Sequence, residues 1–257
     1  FACRLSFACQ LAAGMKPMKA MRIQMKPSSC TPRAAYKSST PQMLKMPKDC
    51  WRPQWKVLTP LFSLNLLLNI LPEEIANELK ETGEAAARDF DNVTILFTDF
   101  KGFTSLSEKL SAQELVEEIN QCFKAFDAIC EKYGIEKIKT IGDAYMAAGG
   151  LPVPTPNSTK NTVLAAIQMA QFMVDRKVDK KKVNLPHFEM RTGLHNGSVV
   201  AGIVGVKKFQ YDIWGDTVNV ASRMESSGEI GRVNVSEETY NLLKECNEFE
   251  FESRGAL

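Results

Sequence analysis

Two stretches limit what this chain can become more than anything else in it: VTILFTDFKGFT at Val93–Thr104 and IKTIGDAYMAA at Ile138–Ala148. In the first, Val93, Ile95, Leu96 and Phe97 carry an apolar run into Asp99, after which Gly102 and Thr104 turn the chain out again. That pattern is a strand ending in a carboxylate, followed by a loop of phosphate-binding size. In the second, Gly142 permits a tight turn and Asp143 sits at its tip. Either aspartate alone would read as a cap or turn residue. Together, at two strand ends, they suit a pair of Mg²⁺ or Mn²⁺ ions, which take hard oxygen ligands. Two metals about 3.5–4 Å apart are a common device for in-line chemistry at phosphorus, one activating the attacking oxygen and one steadying the leaving group. Between the aspartates, Lys101-Gly102-Phe103-Thr104 offers backbone N–H groups at a helix start, which suits a triphosphate.

From Asp91 onward, strands and helices alternate. Leu115, Ile119, Cys122, Phe123, Phe126, Ile129 and Tyr133 recur at three- and four-residue steps. Ala112–Tyr133 is therefore a long helix with one buried face, and Cys122 and Cys130 on that face are core residues. A hairpin follows over Ile135–Thr140 and Ala144–Ala148, and proline-rich Leu151–Ser158 is a loop. Thr162 to about Val174 is the next helix, with Arg176–Lys182 expected as a basic, solvated linker. Phe188, Met190, Thr192 and Leu194 alternate with Glu189, Arg191 and Gly193 in a half-buried strand. That strand is expected to turn at Asn196-Gly197 and continue over Ser198–Val204. The two histidines, His187 and His195, read as structural or turn residues. Ser236 caps the last helix and Phe249–Phe251 starts a strand. Elements in this order predict a mixed sheet with helices over one face.

Composition divides the chain. Of 257 residues, 44% are hydrophobic, which is ordinary for a packed core, and the formal net charge is +2. Yet Phe1–Lys56 holds eleven Lys or Arg against the single acid Asp49, leaving 21 bases against 29 acids in the remainder. Residues 1–59 have no sustained period and are expected to be mostly irregular. They read as a solvated tail or a non-native segment rather than a contact for nucleic acid or an anionic membrane. Four of the seven cysteines lie there without CxxC spacing, which argues against zinc, and the odd total argues against a closed disulfide framework. Leu61–Leu71 is the most apolar run, but eleven residues including Asn65 and Asn69 cannot span a membrane, which takes about twenty. Pro72 then opens a helix at Glu73, with acids in its first turn. Three parts result: 1–59, a helical linking segment at 60–85, and a folded domain at 86–257.

LFTDFKGFT, KIKTIGDAYM and QYDIWGDTVNVASRM, in this order and spacing, resemble the successive signature blocks of class III nucleotidyl cyclases, the adenylyl and guanylyl cyclase catalytic domains. The resemblance covers about Leu66–Leu257 and implies the ferredoxin-like α+β cyclase fold. LLNILPEEIANELK is similar to the short segment that couples an upstream sensor to many such domains. For the site, the resemblance implies that Asp99, Asp143 and the backbone carbonyl of Phe100 hold two Mg²⁺ or Mn²⁺ ions, and that Gly102, Phe103 and Thr104 bind the triphosphate. It also implies that Lys139 and Asp212 select the purine. Adenine presents an acceptor at N1 and a donor at its exocyclic amine, which complement an ammonium and a carboxylate; guanine presents the reverse pair. Family members that use GTP typically carry an acid and a small thiol or hydroxyl residue at these two places, so this sequence resembles the ATP-using branch. Asn219 and Arg223 lie four apart on one face of a helix beginning near Gly215-Asp216-Thr217. In the family's pattern they orient the ribose and hold phosphate charge in the transition state.

The resemblance further implies a two-fold assembly in which one protomer supplies the metal aspartates and the other the purine and transition-state residues. This chain carries both sets, so a homodimer would have two equivalent sites. Family members also carry a lysine on a strand shortly after the final Arg-Gly. The sequence ends at Arg254-Gly255-Ala256-Leu257, so a fragment without that lysine is expected. The expected activity is that of an adenylyl cyclase, converting ATP to cyclic AMP and pyrophosphate. The domain would be cytoplasmic, with no nucleic-acid partner and membrane attachment only through an upstream region. A guanylyl or mixed-specificity cyclase is the alternative within the class. Outside it stands a catalytically silent nucleotide-binding or dimerisation module; the retained aspartates, Asn219 and Arg223 oppose silence, and the missing lysine favours it.

Overall fold

The computed structural model describes residues 19–25, 68, 70–205 and 210–256. In chain order these form β1 (Lys19–Met25), α1 (Glu73–Thr82), β2 (Arg88–Lys101), α2 (Phe103–Ser107) and α3 (Ala112–Tyr133). The hairpin β3 (Glu136–Ile141) and β4 (Ala144–Gly149) follows, then α4 (Ser158–Lys182), β5 (Glu189–Val204) and β6 (Gln210–Trp214). Last come α5 (Asp216–Ser226), β7 (Val233–Ser236), α6 (Glu237–Leu243) and β8 (Phe249–Ala256). One eight-stranded sheet takes the order β3-β4-β2-β5-β7-β1-β8, with β6 pairing β5 beside this path. Antiparallel ladders join its other neighbours and a parallel one joins β5 to β7, so the sheet is mixed, as expected.

β2 sets the two cores. Val93, Thr94, Ile95, Leu96 and Phe97 are all buried, as in a strand covered on both faces. Leu96 and Phe100 face one cluster, with Phe126 of α3, Met169 of α4, and Met190 and Leu194 of β5. Val93, Ile95 and Phe97 face the other, with Ile75 and Ala76 of α1, Val199 and Ala201 of β5, and Ala221 of α5. Helices therefore cover both faces rather than the expected one. The polar residues of α5 drew attention to its outer side, whereas Thr217, Val220, Ala221 and Met224 bury its inner side.

Three further expectations change. Residues 176–182 are the last turns of α4, not a linker. Arg176 and Lys180 reach the buried carboxylate of Glu118 on α3 at 2.7 and 2.6 Å, so a basic run that looks solvated is partly tied across two helices. Asn196-Gly197 lies inside β5, not at a turn. The Asn196 amide donates to Asn92 Oδ1 and Thr94 Oγ1 at 2.8 Å each, and pairing with β2 overrides the local turn signal. Most unexpectedly, Lys19–Met25 is a strand between β7 and β8, antiparallel to both. Ala20 and Ile23 are buried, and Arg22 pairs with Glu229 and Glu252. Seven residues with two buried apolar positions three apart leave no period in the sequence. The rest of 1–59 and the start of the apolar run at Leu61–Leu71 lie outside the described residues. No helix among those described is long and apolar enough to cross a membrane.

Ile23→Ala is expected to lower the unfolding free energy by about 2–5 kcal/mol, as for other buried aliphatic truncations. Urea denaturation would measure it, and an unchanged midpoint would remove β1 from the folded sheet.

Candidate active site

Asp99 stands near the end of β2, and Asp143 sits in the turn between β3 and β4, beside Gly142 in the left-handed region at φ 64°. The β2–β4 ladder stops at Thr98–Tyr145, so both aspartates lie just past the same end of one strand pair. The Asp143 carboxyl is pushed up to about 6, by burial first and by the charge of Asp99 second. Across β5 the register partner of Asp99 is Arg191, whose Nη2 donates to Asp99 Oδ2 at 2.8 Å. Arg191 Nε lies 2.9 Å from Glu225 Oε1 on α5, and Nη1 donates to the Ser226 carbonyl at 3.1 Å. Burial pushes the Glu225 carboxyl up to about 7; Arg191 opposes this rise, and the charges of Asp99 and Asp143 add to it.

Three carboxyls thus gather around one guanidinium. The cluster is short of positive charge, which helps to raise two of its acids toward neutrality. A divalent cation on Asp99 and Asp143 would relieve that shortage, so the donor set fits a hard metal ion. Among the described residues no three His, Cys, Asp or Glu side chains form a metal cage of their own. Two carboxylates and the Phe100 carbonyl would leave positions for substrate oxygens. The Phe100 ring is fixed in the core against Phe188, with centroids 4.6 Å apart, so only its backbone is free to serve. Next to it, Gly102 takes φ 73° as the residue before the five-residue α2, and an added Cβ would meet nothing within 4 Å. The loop is open there, Thr104 is exposed, and the Phe103 ring anchors it on Phe188 at 5.8 Å.

A second pair forms on the sheet's other flank. The β3–β4 register shifts between Lys137 and Lys139, and such a bulge re-aims the side chain that follows. Lys139 Nζ meets Asp212 Oδ2 of β6 at 2.5 Å, both side chains half-buried. Asp212 Oδ1 also accepts from the Ile213 N–H at 2.9 Å.

α5 rests on β5 through glycines. A Cβ at Gly193 would lie 1.9 Å from Glu225 N, and one at Gly197 would lie 2.6 Å from Thr217 Oγ1. The close seat buries Thr217, Val220, Ala221, Met224 and Glu225, while Asn219 is exposed and Arg223 half-buried. Residues two apart on a helix project about 200° apart. Glu225 therefore faces Arg191 and the aspartates of its own chain, Arg223 points nearly the opposite way, and Asn219, six positions from Glu225, lies about 120° round the helix from it. Arg191 and Glu225 did not stand out in the sequence: one looks like the polar half of a strand's alternation, the other like a helix-end acid. A charged residue two positions before the strand glycine Gly193 is the trace they left. His195 is buried, with Nδ1 2.7 Å from Ser236 Oγ.

Residues 85–257 match the family described as the adenylate and guanylate cyclase catalytic domain, and the chain belongs to that family. It is 40% identical over 193 residues to an adenylate cyclase of Mycobacterium tuberculosis, covering 75% of this chain and 42% of that protein. It is 36% identical over 193 residues to a membrane guanylyl cyclase of Dictyostelium discoideum, covering 75% of this chain and 13% of that one. The chain thus spans less than half the length of these relatives. The crystal structure of the adenylyl cyclase CyaB from P. aeruginosa superposes with a TM-score of 0.59 at 31% identity, covering 63% of this chain and 84% of that one.

Raised carboxyl pKa values mean that the folded, cation-free domain binds more protons than the unfolded chain between about pH 4 and 7, so ionisation of Asp143 and Glu225 lowers stability as pH rises. Asp143→Asn cannot ionise. Its urea midpoint is expected to gain on the parent's as pH goes from about 5 to about 8. A pH-independent offset would remove Asp143 from the charge cluster.

Proposed function

We propose that this domain converts ATP to 3′,5′-cyclic AMP and pyrophosphate, at a site completed by a second copy of the chain. The Lys139–Asp212 pair carries this choice of substrate. An ammonium and a carboxylate side by side complement adenine's N1 acceptor and amine donor, and each satisfies the other until a base arrives. The wrong purine would leave both unpaired in a half-buried pocket, which can discriminate by up to about 10⁴-fold.

Asp99, Asp143 and the Phe100 carbonyl would hold two Mg²⁺ or Mn²⁺ ions, which supply activation of the ribose 3′-oxygen and neutralisation of the leaving pyrophosphate. The backbone of Gly102, Phe103 and Thr104 would line the triphosphate's path, with Arg191, held on Asp99, as a cation for its charge. Asn219 would hold the ribose so that its 3′-oxygen faces the α-phosphorus, and Arg223 would meet the charge that develops there. Both turn away from Glu225 on α5, so they would serve a partner's aspartates. A two-fold homodimer follows, with both sites equivalent. Use of GTP is the second reading, since relatives named for either activity are comparably similar.

Turnover with ATP and GTP, measured separately with Mg²⁺ and Mn²⁺, is expected to favour ATP in kcat/KM. Lys139→Glu with Asp212→Cys should move that preference toward GTP. An unchanged ratio would take the pair out of the purine pocket, and a folded protein that cyclises neither nucleotide would be a silent module.

A further inference from the structure

We propose that Glu225 is a positioning residue for Arg191, holding its guanidinium in place so that the donor now on Asp99 can be handed to the substrate's β- and γ-phosphates; this rests on the cyclase reading above. Arg191 has three contacts of unequal permanence. Nη2 bonds Asp99, a carboxylate that a cation would claim. Nε and Nη1 face Glu225 Oε1 and the Ser226 carbonyl, adjacent residues of α5 outside the proposed metal ligands. The backbone carrying them is pinned to β5 at Gly193, two residues from Arg191 along the same strand face. When Asp99 changes partner, two of the three contacts remain, and the released donor stays beside the two aspartates.

The contact with Glu225 has a further peculiarity. Arg191 Nε and Glu225 Oε1 are 2.9 Å apart, yet both are buried without an aligned hydrogen bond. A buried donor and acceptor left misaligned are costly, and a small rotation of the guanidinium on release from Asp99 can align them. Glu225 is not a third metal ligand on this geometry: its oxygen faces a cation, and no three-carboxylate metal group exists among the described residues.

The sign of one substitution separates positioning from simple charge. Glu225→Gln removes a negative charge near the triphosphate path, so if Glu225 acted only through its field the variant would bind the triphosphate more tightly. As a positioner its loss does the reverse. Binding of 3′-deoxy-ATP, which cannot cyclise, is expected to weaken about 10-fold in Glu225→Gln, with KM for ATP rising in parallel and kcat falling less. AMP, which lacks the two outer phosphates, should bind parent and variant alike. In an Arg191→Ala background, Glu225→Gln should add nothing, and Glu225→Asp should fall between parent and Gln. Tighter or unchanged 3′-deoxy-ATP binding, an equal loss for AMP, or the same loss without Arg191 would each overturn the proposal. A folded parent that neither binds 3′-deoxy-ATP nor turns over ATP would instead overturn the cyclase reading itself, and this proposal with it.

Discussion

The shortage of positive charge at the end of β2 is the constraint on which the rest of the site depends. Asp99, Asp143 and Glu225 share one guanidinium, and burial of Glu225 with partial burial of the two aspartates weakens the screening of their repulsion. Such a cluster is a poor resting state and a good receptor. Cations on the aspartates would lower its energy, and phosphate would then give Arg191 a partner in place of Asp99. The cost of assembling like charges is met by the cores on both faces of β2, which hold the strand ends in place whatever the charge state.

Those cores also fix how α5 is oriented. α5 is seated so closely on Gly193 and Gly197 that it cannot roll about its axis without a clash of backbone against backbone or side chain. One face is thereby committed to Arg191 through Glu225, while exposed Asn219 and half-buried Arg223 turn away from it. The same rigid helix would thus serve two sites, tuning Arg191 in one and meeting the transition state in the other. On the proposed reading, a single copy would leave its own site incomplete.

Much of this was legible in the residues, for a physical reason. Asp99 and Asp143 follow apolar runs and precede or follow a glycine, so the local chain alone announces a strand ending in a carboxylate. Asn219 and Arg223 share a helix face, and Ala112–Tyr133 keeps its period throughout its observed span. What stayed hidden depends on partners distant in sequence. Arg191 is one polar residue among alternating ones until Asp99 and Glu225 are brought to it. Asn196-Gly197 has the chemistry of a turn, but buried hydroxyls and the β2 ladder hold it straight. β1 has too few buried side chains to show a pattern and is defined by the two strands that flank it.

Division of the site between two copies is the central claim, and mixing two damaged chains tests it most directly. A chain with Asp143→Ala lacks a metal carboxylate, and a chain with Arg223→Ala lacks the transition-state cation, so each alone should be inactive. A mixed dimer would place both lesions in one site and leave the other intact. Random pairing makes half the dimers mixed, so activity should return to about a quarter of the parent's if subunits exchange freely and sites act independently. Mixed dimers that form and stay inactive would mean that each site is built within one chain, and the shared site would have to be abandoned.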